Sequence, residues 1–230
     1  MTPIVLISDD AEWEAVTGLL GSSELTIRQS PLGDYFPHQV RSHPVQFFHG
    51  GWGKISAAAS AQYVIDKFSP DLLINLGTCG GFEGGTNIGD VVLVERTVVY
   101  DLIEEITDAD AANRRYASDL DLSWLAGPDP HPVSRGLIAS GDRDIQPADI
   151  EMLVGRYGAL AADWESAAIA WVARRNATRL LILRGVSDLV GATGGEVYGK
   201  PELFRERTRQ VMTELLRQLP DWLERVEPAK

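Results

Sequence analysis

Two short stretches of this chain carry the groups that could do chemistry. Asp163-Trp164-Glu165 sets two acids around an indole, and Ser187-Asp188 sets a hydroxyl beside a carboxylate. Each follows a short apolar run, and Leu180 to Leu183 is the second of these runs. Between them Ala168, Ile169, Val172 and Ala173 keep helical spacing. The order is strand, helix, strand, with a carboxylate just past each strand. Ligands of open parallel sheets bind outside the carboxyl ends of the strands, so this order brings Glu165 and Asp188 into one pocket. Carboxylates so placed can protonate a leaving group, orient a water or stabilise a developing cation.

A third acidic group lies near the N-terminus. Ile4 to Ile7 reads as a buried strand, and Ser8-Asp9-Asp10 offers N-cap chemistry for a helix with Trp13, Val16, Leu19 and Leu20 on its inner face. Glu12 in the first turn suits the helix dipole as well as it suits chemistry. Local sequence does not rank Asp9, Asp10 and Glu12.

The remaining elements must position these groups. Pro44 to His49 reads as a strand leading into Gly50-Gly51-Trp52-Gly53-Lys54 and a helix with Ile55, Ala58, Ala61, Val64 and Phe68 as apolar members. The glycine spacing is not that of a P-loop, and a ligand cradle and a plain tight turn both fit it. Leu72 to Leu76 is a strand entering a glycine turn, Gly77-Thr78-Cys79-Gly80-Gly81-Phe82, whose amides and Thr78 hydroxyl suit a sugar or phosphate oxygen. Asp90 to Tyr100 and Gly136 to Ser140 are further strands, and Pro147 starts a helix through Leu153. Residues 21–50 are irregular before Pro44, and 101–133 form an acidic irregular segment, read as a lid, an interface element or a solvated excursion. A flexible loop spans 190–196, and a last amphipathic helix over 201–226 is kinked or interrupted at Pro220. The chain reads as one α/β domain over 1–230.

Bulk properties narrow the function. With 44% hydrophobic and 23% charged residues, the 230-residue chain has the make-up of an ordinary globular domain. A net charge of −12 opposes nucleic-acid binding and adhesion to an anionic membrane. The single cysteine, Cys79, allows no internal disulfide, and with no signal-peptide pattern this points to the cytoplasm. His38, His43, His49 and His131 have no metal-ligand spacing.

Gly-Thr-Cys-Gly-Gly at 77–81, Ser-Gly-Asp at 140–142, Asp-Trp-Glu-Ser-Ala-Ala-Ile-Ala at 163–170 and Arg-Gly-Val-Ser-Asp at 184–188 occur in that order. Together they resemble the nucleoside phosphorylase/nucleosidase superfamily, closest to the 5′-methylthioadenosine/S-adenosylhomocysteine nucleosidases. The resemblance implies a mixed sheet partly closed into a distorted barrel with surrounding helices, and cleavage of the N-glycosidic bond of a purine nucleoside. It implies Asp188 as the acid at the purine, held by Ser187, and Glu12 as the acid that activates water, with Glu14 weaker. It places Glu165 on the ribose hydroxyls, Trp164 against the sugar where methionine is usual, Asp163 where glutamate is frequent, and Thr78 and Gly80 in the glycine turn. Ile145 falls where backbone groups hold the purine edge, and Asp144 where an aromatic usually stacks on the base. Phosphorylases of the superfamily commonly carry an arginine just before the glycine turn; Asn75 stands in that region here, and with Glu12 at the first strand end it favours water over phosphate, the alternatives being a phosphate-dependent phosphorylase and a nucleoside-binding protein without turnover. No metal or organic cofactor is implied. A small-molecule nucleoside is the expected partner, and a homodimer is expected, with 101–128 as part of its contact.

Overall fold

The structure is a computed structural model that describes residues 2–106 and 108–228; the side chains of Ala109 and Asp110 lie outside the description. Ile4–Ile7 (β1) is buried at every position, as its unbroken apolar run requires. It pairs in parallel with His43–His49 (β4) on one side and with Leu73–Phe82 (β5) on the other. The segment before Pro44 is not irregular. It holds Arg28–Ser30 (β2) and Gly33–Val40 (β3), an antiparallel extension of β4 at the sheet's outer edge. Only two of its eleven strand positions, Phe36 and Val40, are buried, so it shows little of the apolar run that marks a central strand.

Beyond β5 the sheet closes. Leu180–Gly191 (β10) pairs in parallel with β5 and antiparallel with Val91–Val99 (β6). Ser134–Ser140 (β8) runs parallel to β6 and to Ala159–Asp163 (β9), and β9 returns antiparallel to β5 at Gly80 and Gly81. The circuit β5-β10-β6-β8-β9 is a closed barrel of five mixed strands inside the larger sheet. Closure also changes two expectations. The glycine segment 77–82 is not a turn but the second half of β5, paired along its length with β10. Ser187-Asp188 lies within β10, not past its end, where the pairing slips at a bulge between Val186 and Asp188. Bulges re-aim side chains and gather at functional sites.

Helices cover both faces. Asp10–Leu19 (α1) packs against Pro201–Leu223 (α6), and Gly53–Phe68 (α2) packs against Ser166–Arg175 (α5). α6 runs unbroken through Pro220 and ends at Leu223 rather than 226. The proline sits in the last turn, where a missing N–H and a steric bend disturb little helix. Leu19, expected on the inner face of its helix, is exposed, and so is Ile55 of α2. The acidic segment after β6 contains Ala109–Tyr116 (α3) and Ser118–Asp119 (β7), which pairs with β6. The helix at Pro147–Ile150 (α4) widens into a π-helical stretch through Arg156 rather than stopping at Leu153. The loop expected over 190–196 contains the end of β10 and Gly194–Gly195 (β11), which folds back on it. Among the described residues no helix is long and apolar enough to cross a membrane.

Candidate active site

A cavity of about 550 Å³ opens at one end of the barrel. Glu12, Thr78, Gly80, Ile145, Asp163, Trp164, Glu165, Ser187 and Asp188 all line it. The structure brings these nine residues to one place. Glu14 is exposed and is not among the lining residues. Asp10 is exposed at 3.2 Å from His49.

Geometry separates the acids that sequence could not rank. Asp9 also lines the cavity, but it is the N-cap of α1 and its carboxylate accepts from the amides of Ala11 and Glu12. Glu12 completes a capping box, its Oε2 accepting from the Asp9 amide at 3.3 Å. Its Oε1 turns the other way and accepts from the Thr78 amide at 2.6 Å and the Thr78 hydroxyl at 2.8 Å. Glu12 thus serves the helix and faces the cavity at once. Burial raises its pKa, while Arg184 pulls it down.

Sequence reasoning missed the residue beneath these acids. Arg184, in the middle of β10, is fully buried. Its Nε lies 3.0 Å from Asp163, its Nη2 3.6 Å from Glu165 and its Nη1 3.9 Å from Glu12. Nη2 also donates to Asn75 Oδ1 at 2.7 Å, Nε to Ser166 Oγ at 3.0 Å and Nη1 to the Thr78 carbonyl at 3.3 Å. A guanidinium carries five donors in a rigid fork, which suits such a hub. Gly77 is glycine for a steric reason: a Cβ there would overlap Arg184 Nη1 and crowd Glu12 Oε1. The signal available in the sequence was a charged residue inside an apolar strand, which must be paired if buried.

Asp163 is turned into the protein. Ser140 Oγ donates to Oδ1 at 2.5 Å, Ser166 Oγ donates to Oδ2, and Arg184 lies against it. Glu165, two residues on, accepts from the Gly53 amide at 3.0 Å at the start of α2. Burial pushes its pKa up to about 8; Arg184 opposes the rise, and Asp163 and Glu12 add to it. Lys54 anchors that helix start, reaching Asp101 at 2.6 Å and Asp142 at 3.3 Å, while the Lys54 amide donates to Asp142 at 2.7 Å. Trp164 meets Trp52 edge to face, with ring centroids 5.1 Å apart.

The other end of the cavity belongs to Asp188. Ser187 Oγ donates to its Oδ1 at 2.8 Å. Burial raises its pKa, and Ser187 lowers it in part. Burial that favours the acid form of a carboxyl suits it to proton donation. Ile145 is buried beside this end, and the Tyr198 hydroxyl donates to its carbonyl at 3.2 Å. Arg143 turns to Asp149 at 2.7 Å, so it is paired with Asp149 rather than with its neighbour Asp144. Among the described residues no group of His, Cys, Asp and Glu is arranged to hold a metal ion.

A profile of the phosphorylase superfamily matches residues 4–219. The chain is 32% identical over 180 residues to the 5′-methylthioadenosine/S-adenosylhomocysteine nucleosidase of Geobacillus kaustophilus, covering 72% of this chain and 74% of the relative. It is 31% identical over 178 residues to the enzyme of that name from Bacillus subtilis, covering 72% and 76%. The crystal structure of the Helicobacter pylori nucleosidase, bound to a pyrrolidine-based inhibitor, superposes with a TM-score of 0.79 at 17% identity, covering 97% of this chain and 98% of that one. The Streptococcus pneumoniae nucleosidase in complex with 8-aminoadenine gives 0.78 at 22% identity, covering 98% and 100%. These structural likenesses establish the fold.

Proposed function

The chain belongs to the phosphorylase superfamily, in its 5′-methylthioadenosine/S-adenosylhomocysteine nucleosidase branch, and on that premise we propose that it cleaves the N-glycosidic bond of a purine nucleoside with water. The carrying observation is one cavity with a carboxyl whose pKa burial raises at one end and two buried glutamates at the other. In this reading Asp188 gives a proton to nitrogen 7 of the departing base as the bond from the base to the anomeric carbon breaks. The sugar develops oxocarbenium character, which Glu12 and Glu165 stabilise. Water attacks the anomeric carbon, its proton passes to Glu12, and the free base and free sugar leave. Glu165 holds the ribose hydroxyls, Thr78 aims Glu12, and Ser187 aims Asp188.

Water is favoured over phosphate by charge. The buried cation nearest the sugar end is Arg184, and three carboxylates already surround it. Asn75, in the region where phosphorylases commonly carry an arginine, accepts from this buried one. An incoming phosphate dianion would find that cation already engaged by Asp163, Glu165 and Glu12.

A homodimer fits this reading. Ile103 and Ile106 are 79% and 93% exposed, and Trp52 and Ile55 at the start of α2 are 55% and 83% exposed. Lys54 ties Asp101 to α2, so these side chains leave the same part of the molecule. Exposed apolar side chains gathered in this way mark interaction sites. Multi-angle light scattering checks the assembly, and a monomer would refute it. A cytoplasmic location accords with the single free cysteine.

The test of function is base release from methylthioadenosine, adenosylhomocysteine, adenosine and inosine, each with and without phosphate. Free base and free sugar without phosphate is the expected result, and release only with phosphate would refute the hydrolytic reading.

A further inference from the structure

The base end of the cavity needs a flat apolar surface, since a purine presents two faces as well as an edge. The β8–α4 turn does not supply one. It offers Asp144, exposed and charged, and Arg143, whose guanidinium lies toward Asp149 and 5.3 Å from the Tyr100 ring centroid. Trp52 and Trp164 pack on each other beside Glu165, at the sugar end. Tyr198 is the aromatic ring tied to the Asp188 end. It lines the cavity, and its hydroxyl reaches the Ile145 carbonyl across from its own segment. Burial raises its pKa, and the charges of Asp144 and Asp188 add to the rise.

The ring is held by the chain behind it. A Cβ at Gly195 would lie within 2.9 Å of three ring atoms, and one at Gly194 would lie 3.5 Å and 3.8 Å from the opposite edge. The ring is therefore laid over the Gly194-Gly195 backbone, and only residues without a side chain allow it to lie so close. Its own amide bonds the Gly195 carbonyl at 3.2 Å. A planar side chain backed in this way and bordering a cavity is built to receive another planar group.

We infer that Tyr198 is the surface on which the leaving purine lies, supplied from the β10–α6 segment and keeping the base beside Asp188. This rests on the purine nucleoside reading of the cavity. The hydroxyl pins the ring through Ile145, and the ring does the binding. Stacking of a base on an aromatic side chain accounts for roughly 5- to 150-fold in affinity on removal of the ring.

The experiment measures binding of free adenine and free hypoxanthine by calorimetry, beside KM and kcat for the best-cleaved nucleoside. It compares the parent with Tyr198→Phe, Tyr198→Leu, Tyr198→Ala and Phe204→Ala, with thermal melting to confirm that each is folded. Phe204, which lines the cavity from α6, is the rival aromatic surface for the base. Tyr198→Leu and Tyr198→Ala are expected to weaken base binding and raise KM by about 10- to 100-fold. Tyr198→Phe keeps the ring and stays within about threefold of the parent. Base binding unchanged in Tyr198→Leu, a Tyr198→Phe variant as weak as Tyr198→Ala, or the loss appearing in Phe204→Ala instead would overturn the assignment. Base binding is read without turnover, so a parent that cleaves no nucleoside defeats the proposed function while the calorimetry still decides on Tyr198.

Discussion

Replacing Arg184 by methionine removes the one buried cation that Asp163, Glu165 and Glu12 share, and it leaves a side chain of comparable bulk. The three carboxylates stay buried. Breaking a buried pair by removing one partner costs about 3–5 kcal/mol, because the remaining charge has neither water nor countercharge. For a chain of this size about 1 kcal/mol moves the melting temperature by roughly 2–4 °C, so the loss is about 6–20 °C. The loss also depends on pH. Glu165 already titrates near 8 with Arg184 in place, above its ordinary 4.5. An acid with a raised folded pKa binds more protons folded than unfolded, so stability falls as pH rises between those two values. Removing the cation lifts the carboxylates further and steepens that fall. Melting curves at pH 5 and pH 8, followed by circular dichroism, therefore give a larger deficit for Arg184→Met at pH 8, where the orphaned acids must ionise. A deficit under about 3 °C at pH 8, or the same deficit at both pH values, would refute the hub role.

Other outcomes follow from the same geometry. Asp188→Asn keeps the shape and the Ser187 contact but has no proton to give, so kcat falls by about 10²- to 10⁴-fold with KM little changed, as base-release kinetics would record. Glu12→Gln keeps a partner for the Thr78 groups and removes the base, with a comparable loss of kcat; activity within about tenfold of the parent would count against its role. Because Asp188 must be protonated and Glu12 ionised, kcat/KM follows a bell in pH, and both limbs lie above ordinary carboxylate values because burial raises both groups. Gly77→Ala pushes a methyl into Arg184 Nη1, and it lowers both melting temperature and activity. By contrast Gly84→Ala, whose Cβ meets open space, leaves activity unchanged, at a small stability cost from its left-handed backbone.

Much of the site was legible because its motifs are local. Asp163-Trp164-Glu165 sits at a strand-to-helix junction that apolar periodicity alone locates, and the structure puts β9 and α5 there. Asp188 was legible as an acid beside a hydroxyl, and the capping chemistry at Asp9 follows from residue types three positions apart. The errors came where pairing partners are distant in sequence. The glycines at 77–81 read as a turn because glycine is rare in strand interiors. They form a strand because β10 and β9 clamp them on both sides. The edge strands β2 and β3 were invisible because, at the edge, most of their side chains meet solvent.

The sequence by itself determined the buried strands and the acids available, since each rests on residue type and short-range spacing, and its four motifs in order carried the resemblance to the family. Tertiary structure alone decided which acid near the N-terminus reaches Thr78, that Arg184 lies beneath three acids, and that Tyr198 reaches the Ile145 carbonyl at the Asp188 end of the cavity. Those facts depend on barrel closure, which brings residues more than a hundred positions apart within hydrogen-bonding distance, as it does Arg184 and Asn75. No periodicity encodes a contact of that kind; the pairing of β5 with β10 creates it.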